Sequence, residues 1–189
     1  MYENMIHLYQ KTTQLNVLSL FLDSPFTGFY LRESARLLKM DPMTVKRSLD
    51  ILVADGLLEK VFEKNMILYK ANIENPVLRH QKIAYDLSKF QENGLVDLLL
   101  KKFNTVSSIV LFGSFAKGES DKDSDVDLVI ISLSKTKPTT QLSKLLGRDV
   151  NIMNFTPAEW SQQSNTNRAF YLDVITEGIV LYGNRPVIG

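Results

Sequence analysis

The sequence predicts a two-domain chain of the α/β (α+β) class, in which a small helical domain with a β-hairpin precedes a domain built on a sheet. Two observations support this prediction. Apolar residues recur at helical spacing in three segments before Gly56, and two short strand-like segments follow. Further along, residues 109–112 and 126–131 are almost continuously apolar, which is typical of strands buried on both faces of a sheet.

Composition excludes several classes of protein. The chain has 189 residues, enough for one or two domains with cores of their own. It contains no cysteine, which excludes disulfides and thiolate metal sites and is typical of cytoplasmic proteins. We find no apolar run of membrane-spanning length and no signal-peptide pattern, so we expect a cytoplasmic protein. Because the net charge is only +1, any DNA-binding surface must be local.

Start and stop signals delimit the elements of the first domain. A break that begins at Asp23 ends one helix, and Asp41 with Pro42 supplies an N-cap and a first helical residue for another. Gly56 is placed to cap that helix, and residues 63–65 provide a turn between two strands. The predicted elements are helices over residues 1–13, 14–22, 31–39 and 42–55, and strands over residues 57–61 and 66–71.

This order of elements resembles a winged helix-turn-helix domain. The segment Pro42-Met43-Thr44-Val45 and the exit Asp55-Gly56-Leu57-Leu58 are similar to that family's recognition helix and its passage into the wing. The resemblance implies that residues 1–72 bind double-stranded DNA, and the alternative is a module that contacts only proteins. The candidate DNA contacts are the polar and basic residues of the outer helix faces and the wing: Arg32, Arg36, Met43, Thr44, Lys46, Arg47 and Lys64.

Residues 73–103 are predicted to form a helical linker. Pro76 can begin a helix, Gly94 interrupts the apolar pattern, and residues 95–100 resume it. The apolar positions of this segment serve either dimerisation, which would make the protein a homodimer, or packing against one of the two domains.

A pair of carboxylates opens the second apolar run of the sheet domain. Asp125 and Asp127 point the same way because side chains alternate along a strand, and they lie about 7 Å apart. Two such carboxylates repel each other unless a cation lies between them, and oxygen ligands suit Mg²⁺ or Mn²⁺. Gly113 and Ser114 follow the first run, where close backbone approach, exposed N–H groups and a hydroxyl can bind phosphate. This combination predicts a site for a metal ion and a nucleoside triphosphate.

The alternative interpretation of this region is a β-hairpin whose acidic loop, residues 119–125, is simply solvated. It does not explain why Asp127 lies inside an apolar strand.

The motif also resembles a known family. Gly113-Ser114, ten intervening residues and Asp125-Val126-Asp127 are similar to the signature of the minimal nucleotidyltransferases of the polymerase β type. The resemblance covers about residues 104–183 and implies a mixed sheet flanked by helices in a domain spanning residues 104–189. It implies that Asp125 and Asp127 hold the metal, and ATP is the expected nucleotide. The implied nucleotide-binding residues are Gly113, Ser114, Lys117 and Ser124.

The remaining elements follow from local signals. Thr156, Pro157 and Glu159 form a helix start with a capping box, and Gly178 is placed to cap a final helix. A loop rich in Lys, Pro and Thr is expected over residues 134–140. The predicted elements are helices over residues 141–146 and 170–178, a helix that begins at Thr156, and strands over residues 149–155 and 179–182.

One position departs from the family's pattern. The third carboxylate of the family lies on the strand that follows the Asp-x-Asp strand, and Asn151 occupies that position here. The resemblance makes Asn151 a member of the catalytic set with Asp125 and Asp127. A neutral amide is a weaker metal ligand and cannot act as a base. Asp149 lies on the same strand face about 7 Å away and is a candidate substitute.

Three functions are compatible with the sequence. The first is a nucleotidyltransferase that binds Mg–NTP and modifies a protein or small-molecule acceptor. The second, which Asn151 favours, is a DNA-binding transcriptional regulator with a catalytically degenerate, nucleotide-sensing domain. The third is an antitoxin-like partner that binds or modifies another protein, and it follows from family analogy alone. Polymerase activity is not expected, because no further domain is present to hold a template.

Overall fold

The computed structural model describes residues 12–133, 135 and 140–188. The chain divides into two compact units, Met1–Ser88 and Lys89–Gly189. Most of the predicted leading helix over residues 1–13 and most of the predicted loop over residues 134–140 lie outside the described residues. The three-part division into residues 1–72, 73–103 and 104–189 stays a prediction.

The N-terminal unit contains helices and a three-stranded antiparallel sheet in the order β1-β3-β2. As predicted, Val45, Leu49 and Leu52 are buried in its core. The side chain of Asp41 accepts hydrogen bonds from the backbone N–H groups of Met43 and Thr44, so the predicted N-cap is confirmed. The elements are α1 (Thr13–Asp23), β1 (Phe29–Tyr30), α2 (Leu31–Leu38), α3 (Pro42–Ala54), β2 (Leu58–Glu63) and β3 (Met66–Ala71).

The helix α4 (Pro76–Glu92) contains the boundary between the units. The described residues that follow this helix belong to the C-terminal unit. Its sheet has the order β6-β5-β4-β7, with β5 and β6 parallel and the other pairs antiparallel, which confirms the predicted mixed sheet flanked by helices. The elements are α5 (Leu95–Lys102), β4 (Val106–Phe112), α6 (Gly113–Lys117), β5 (Val126–Ser132), α7 (Thr140–Leu146), β6 (Val150–Phe155), α8 (Pro157–Thr166), α9 (Arg168–Thr176) and β7 (Ile179–Gly183).

The helices α8 and α9 cover the sheet face that carries the predicted metal ligands. Val110 and Val129 of the sheet lie in one buried cluster with Trp160 of α8 and Val174 of α9. Apolar burial of this kind is worth roughly 1.5–3 kcal/mol for each large side chain, so it holds the carboxylate-bearing strand rigidly. None of the helices in the described part of the chain is both long and apolar enough to cross a membrane.

The final helix corrects one sequence prediction. It was expected over residues 170–178 with Gly178 as its cap, but α9 spans Arg168–Thr176 and Glu177 occupies the C-cap. A Cβ at Gly178 would lie 2.2 Å from the carbonyl oxygen of Val174. Val174 belongs to the last turn of α9, so the close approach of the chain to the end of this helix requires glycine at this position.

Candidate active site

The register of two parallel strands brings the three predicted catalytic residues together. Asp127 of β5 lies directly opposite Asn151 of β6, and Asp125 immediately precedes β5. The Nδ2 atom of Asn151 donates to Asp127 Oδ1 at 3.0 Å and to Asp125 Oδ2 at 3.3 Å. Asp125 is exposed and Asp127 half-buried, so the cluster opens to solvent at one end of the sheet. The amide of Asn151 therefore bridges two carboxylates that would otherwise repel each other.

The donor set of this cluster fits Mg²⁺ or Mn²⁺. Two carboxylates and one amide supply only oxygen ligands once the Asn151 amide rotates to present Oδ1, and both ions prefer oxygen. Within the described residues no group of three or more His, Cys, Asp or Glu side chains is placed to hold a metal. The fit thus depends on Asp125, Asp127 and the amide together.

Gly113 makes room for one of these carboxylates. Its φ is +72°, and a Cβ built on it would lie 2.6 Å from Asp127 Oδ2. Phe112, the preceding residue, pairs with Asp127 across the antiparallel β4–β5 ladder. The turn from β4 into α6 therefore runs directly against the Asp127 carboxylate, and only glycine combines this conformation with this contact.

Replacing Gly113 with alanine is expected to displace the Asp127 carboxylate and to weaken Mn²⁺ binding. The left-handed backbone should also destabilise the fold by about 1–2 kcal/mol. A matched control is Gly94→Ala, because Gly94 has φ +65° and no atom within 4 Å of its ideal Cβ. Calorimetric Mn²⁺ titrations and thermal unfolding should show similar destabilisation in both variants but weaker metal binding only in Gly113→Ala. Equal metal affinity in the two variants would contradict this role of Gly113.

The two other residues of α6 in the predicted set have distinct surroundings. Ser114 is half-buried, and its backbone carbonyl accepts from Glu119 N at 2.9 Å. Lys117 Nζ forms an ion pair with Asp173 Oδ1 of α9 at 2.8 Å, and this hydrogen bond raises the pKa of Lys117. Lys117 therefore ties α6 to α9, and its contact with a nucleotide stays a prediction.

Ser124 is engaged within the acidic loop. Its hydroxyl donates to Asp121 Oδ1 at 2.8 Å and accepts from Asp121 N at 2.9 Å. The hydroxyl of Ser124 is the main reason that the pKa of Asp121 lies below its usual value. Ser124 thus closes the loop that leads into Asp125, and its contact with phosphate stays a prediction.

Sequence reasoning missed Arg148, which lies just before β6. Its Nη1 donates to the carbonyl oxygens of Asp121 at 2.9 Å and Ser124 at 3.0 Å. Its guanidinium also lies over the ring of Phe115, 5.0 Å from the centroid. The sequence offers only a weak signal for this residue, a basic side chain directly before the segment that contains Asn151. Asp149 is exposed, and its service as a substitute carboxylate stays a prediction.

The candidate DNA contacts lie in the N-terminal unit. All seven are exposed: Arg32, Arg36, Met43, Thr44, Lys46, Arg47 and Lys64. Lys46 is ion-paired with Asp50 at 2.7 Å, and Lys60, which sequence reasoning missed, pairs with the same carboxylate at 2.8 Å. These two hydrogen bonds hold the pKa of Asp50 below its usual value, and the one from Lys46 has the larger effect. The charge of Lys46 is therefore less available to a partner than that of Arg47.

A comparison with protein-family models matches the part of the chain that carries this site. Residues 93–172 match the family model described as the nucleotidyltransferase domain. No curated protein matches the chain. Matching solved structures include a toxin–antitoxin with AMP-PNP, at 22% identity and a TM-score of 0.40, with 50% of this chain and 74% of that chain covered. Another is a mutant of the toxin–antitoxin MntA-HpeT, at 22% identity and a TM-score of 0.38, with 50% of this chain and 73% of that chain covered.

The span matched by the family model contains every residue of the candidate site, from Gly113 to Asn151. It also contains three of the four strands of the mixed sheet and the α6 turn. Residues 93–172 of this chain, which carry the candidate site, are therefore similar to a nucleotidyltransferase domain.

Proposed function

We propose that the C-terminal unit binds a nucleoside triphosphate, with ATP as the expected nucleotide, and transfers its nucleotidyl group to a protein or small-molecule acceptor. The supporting observation is the convergence of Asp125, Asp127 and Asn151 beside Gly113, inside the span that matches the nucleotidyltransferase domain. Asp125 and Asp127 are the metal ligands in this proposal. The turn that begins at Gly113 and Ser114 faces the phosphates.

The proposed reaction forms one bond and breaks another at the α-phosphorus. An acceptor oxygen attacks in line, the bond to pyrophosphate breaks, and the acceptor proton leaves to solvent or to a base. A bound divalent ion would offset the charge that develops on the phosphate oxygens. The amide of Asn151 cannot accept the proton, so this chain supplies binding and orientation at that position without a base. We therefore expect slow transfer and ordinary nucleotide binding.

A calorimetric titration tests the binding step. Each of the four common nucleoside triphosphates is titrated into the protein with Mg²⁺, with Mn²⁺ and with a chelator. Saturable binding that requires the metal is expected, with ATP the tightest. The absence of metal-dependent binding for all four nucleotides would refute the proposed site.

A second candidate function is a DNA-binding regulator whose nucleotidyltransferase domain senses nucleotide without turnover. The observation that favours it is the pair of hydrogen bonds from Asn151 to both carboxylates, which leaves the cluster without a third anionic ligand. The antitoxin-like role, the homodimer and the cytoplasmic location stay hypotheses.

The N-terminal unit is proposed to be a winged helix that binds double-stranded DNA, with α3 as the recognition helix and the β2–β3 hairpin as the wing. Support comes from the polar outer face of α3 and the exposed basic residues beside it. The competing role is protein contact. It is favoured by the apolar end of the hairpin, where Phe62 is 74% exposed and Met66 and Ile67 are 50% and 45% exposed.

Arg47→Ala is expected to weaken duplex binding and to lower the salt dependence of binding by about one phosphate contact. Lys46→Ala should have a smaller effect, because Lys46 is already ion-paired with Asp50. Fluorescence anisotropy with random duplexes over a range of salt concentrations measures both quantities. Arg79→Ala is the control, since it removes an exposed arginine outside α2, α3 and the hairpin. A wild-type protein that binds no duplex at low salt would instead assign the unit to protein contact.

A further inference from the structure

Asp125 differs from Asp127 in how its backbone is held. Asp127 lies within β5 and is paired on both sides, with Phe112 of β4 and Asn151 of β6. Asp125 precedes the strand and is exposed, so the strand ladder does not fix it. A fixed backbone at Asp125 therefore requires other contacts with the two peptide groups that flank it.

Both flanking peptide groups are held by consecutive residues of another segment. The peptide before Asp125 carries the carbonyl of Ser124, which accepts from Arg148 Nη1 at 3.0 Å. The peptide after Asp125 carries the N–H of Val126, which donates to the carbonyl of Asp149 at 2.9 Å. A residue whose two neighbouring peptide planes are both fixed has little freedom left in φ and ψ. The orientation of the Asp125 carboxylate thus depends on the segment that leads into β6.

Arg148 makes further contacts that hold the loop before Asp125. The same Nη1 atom also donates to the carbonyl of Asp121 at 2.9 Å. It therefore binds the carbonyl groups at both ends of the segment 121–124, which precedes Asp125. The guanidinium carbon lies over the ring of Phe115, a buried residue of the helix that begins at Gly113. Its own backbone N–H donates to the Ser143 carbonyl at 3.2 Å. A planar guanidinium can stack and donate at once, which the point charge of a lysine cannot do.

We infer that Arg148 is a positioning residue for the proposed nucleotidyl-transfer site, which fixes the Asp125 carboxylate relative to Asp127 and Asn151. The inference rests on the proposed function, because it assigns Arg148 a role in the metal–nucleotide site. It goes beyond that function by making the competence of the site depend on a residue that need not touch metal or nucleotide.

The first test measures the Mn²⁺ affinity of the full chain by titration, with electron paramagnetic resonance as the readout of bound Mn²⁺. Arg148→Ala should weaken Mn²⁺ binding about 10-fold to 100-fold, the usual effect of removing a residue that orients a metal ligand. Arg148→Lys should recover only part of this loss. In an Asp125→Asn background Arg148→Ala should cost almost nothing further, whereas in an Asp127→Asn background it should keep its effect.

The matched control is Arg185→Ala. Arg185 also donates to two backbone carbonyls, those of Ile175 and Gly178, but it follows β7 and lies outside both the acidic loop and β6 in the chain. This variant is expected to lower the thermal midpoint without changing Mn²⁺ affinity. An Arg148→Ala effect that is equal in all three backgrounds, or that Arg185→Ala reproduces, would reduce Arg148 to a general stabilising residue and overturn the inference.

A second readout does not require metal. Hydrogen exchange measured by mass spectrometry on the metal-free protein should show faster exchange over residues 121–126 in Arg148→Ala and not in Arg185→Ala. Unchanged exchange over this loop would overturn the positioning role whatever the metal data show. A wild type that binds neither Mn²⁺ nor nucleotide, with the loop exchange still dependent on Arg148, would instead refute the proposed function alone.

Discussion

The double variant Asp125→Asn, Asp127→Asn is expected to lose metal-dependent nucleotide binding while keeping its fold. Neutral amides cannot offset the charge of a divalent cation, and both residues sit where one cation would contact them together. Removing a group that only orients a metal ligand costs about 10-fold to 100-fold in affinity, so removing both ligands should cost more than that. The fold should survive, because two like charges are removed from one end of the sheet.

Calorimetry with Mg–ATP measures the loss of nucleotide binding, and a thermal melt measures whether the fold is retained. The control is the variant Asp97→Asn, Asp123→Asn, which removes the same charge from two exposed positions of the same unit. It should bind Mg–ATP as the wild type does. If the Asp125 and Asp127 double variant also binds Mg–ATP normally, the nucleotide binds somewhere other than this carboxylate pair.

Asn151→Asp should increase nucleotidyl transfer by about 10²-fold to 10⁴-fold, the usual contribution of a general base. The new carboxylate would occupy nearly the same volume and lie beside Asp127, at the strand position where the parallel register places Asn151. Nucleotide affinity should change little, since Asp125 and Asp127 already hold the nucleotide's metal in this proposal. Transfer of label from ATP to acceptors in a cell extract measures the rate.

The same substitution has a structural signature that is separate from activity. Asn151 now donates to two carboxylates, and an aspartate there would place three anions together. The variant should therefore melt at a lower temperature than the wild type without metal and gain more stability from Mn²⁺. Asn184→Asp, an exposed change of the same chemistry that follows β7 and lies in no helix, should show neither effect.

Two outcomes for Asn151→Asp would change the conclusion. A wild type already as active as the variant would show that the amide suffices or that Asp149 serves in its place. A variant that stays inert with every acceptor would favour the regulator, in which the domain binds nucleotide without transferring it.

The features that sequence predicted best are those that local chemistry determines. The cap formed by Asp41 and the capping box of Thr156 with Glu159 involve neighbours in the chain, and both are confirmed. The shared face of Asp125 and Asp127 follows from the alternation of strand side chains alone. The apolar runs around them also predicted strands with a buried interior, as observed.

The contacts that sequence could not predict join residues that are far apart along the chain. Arg148 and Asp121 are separated by 27 positions, and Lys117 and Asp173 by 56. Their pairing depends on the order of the strands and on which helices cover each face, and no local pattern encodes either. Gly113 is a related case, because the sequence suggested a glycine for phosphate approach and the structure adds the contact with Asp127.

The most direct measurement of nucleotidyl transfer compares two labels on ATP. Wild-type protein and Asn151→Asp are incubated with Mn²⁺, a cell extract and ATP labelled at either the α-phosphorus or the γ-phosphorus. Label from the α-phosphorus should become covalently attached to an acceptor, faster with Asn151→Asp and not at all with the Asp125 and Asp127 double variant. An extract incubated without the protein gives the background of each label, and above this background label from the γ-phosphorus should appear only as pyrophosphate. Attachment of the γ-label above the background, or no attachment of the α-label above it with either protein, would contradict nucleotidyl transfer by this domain.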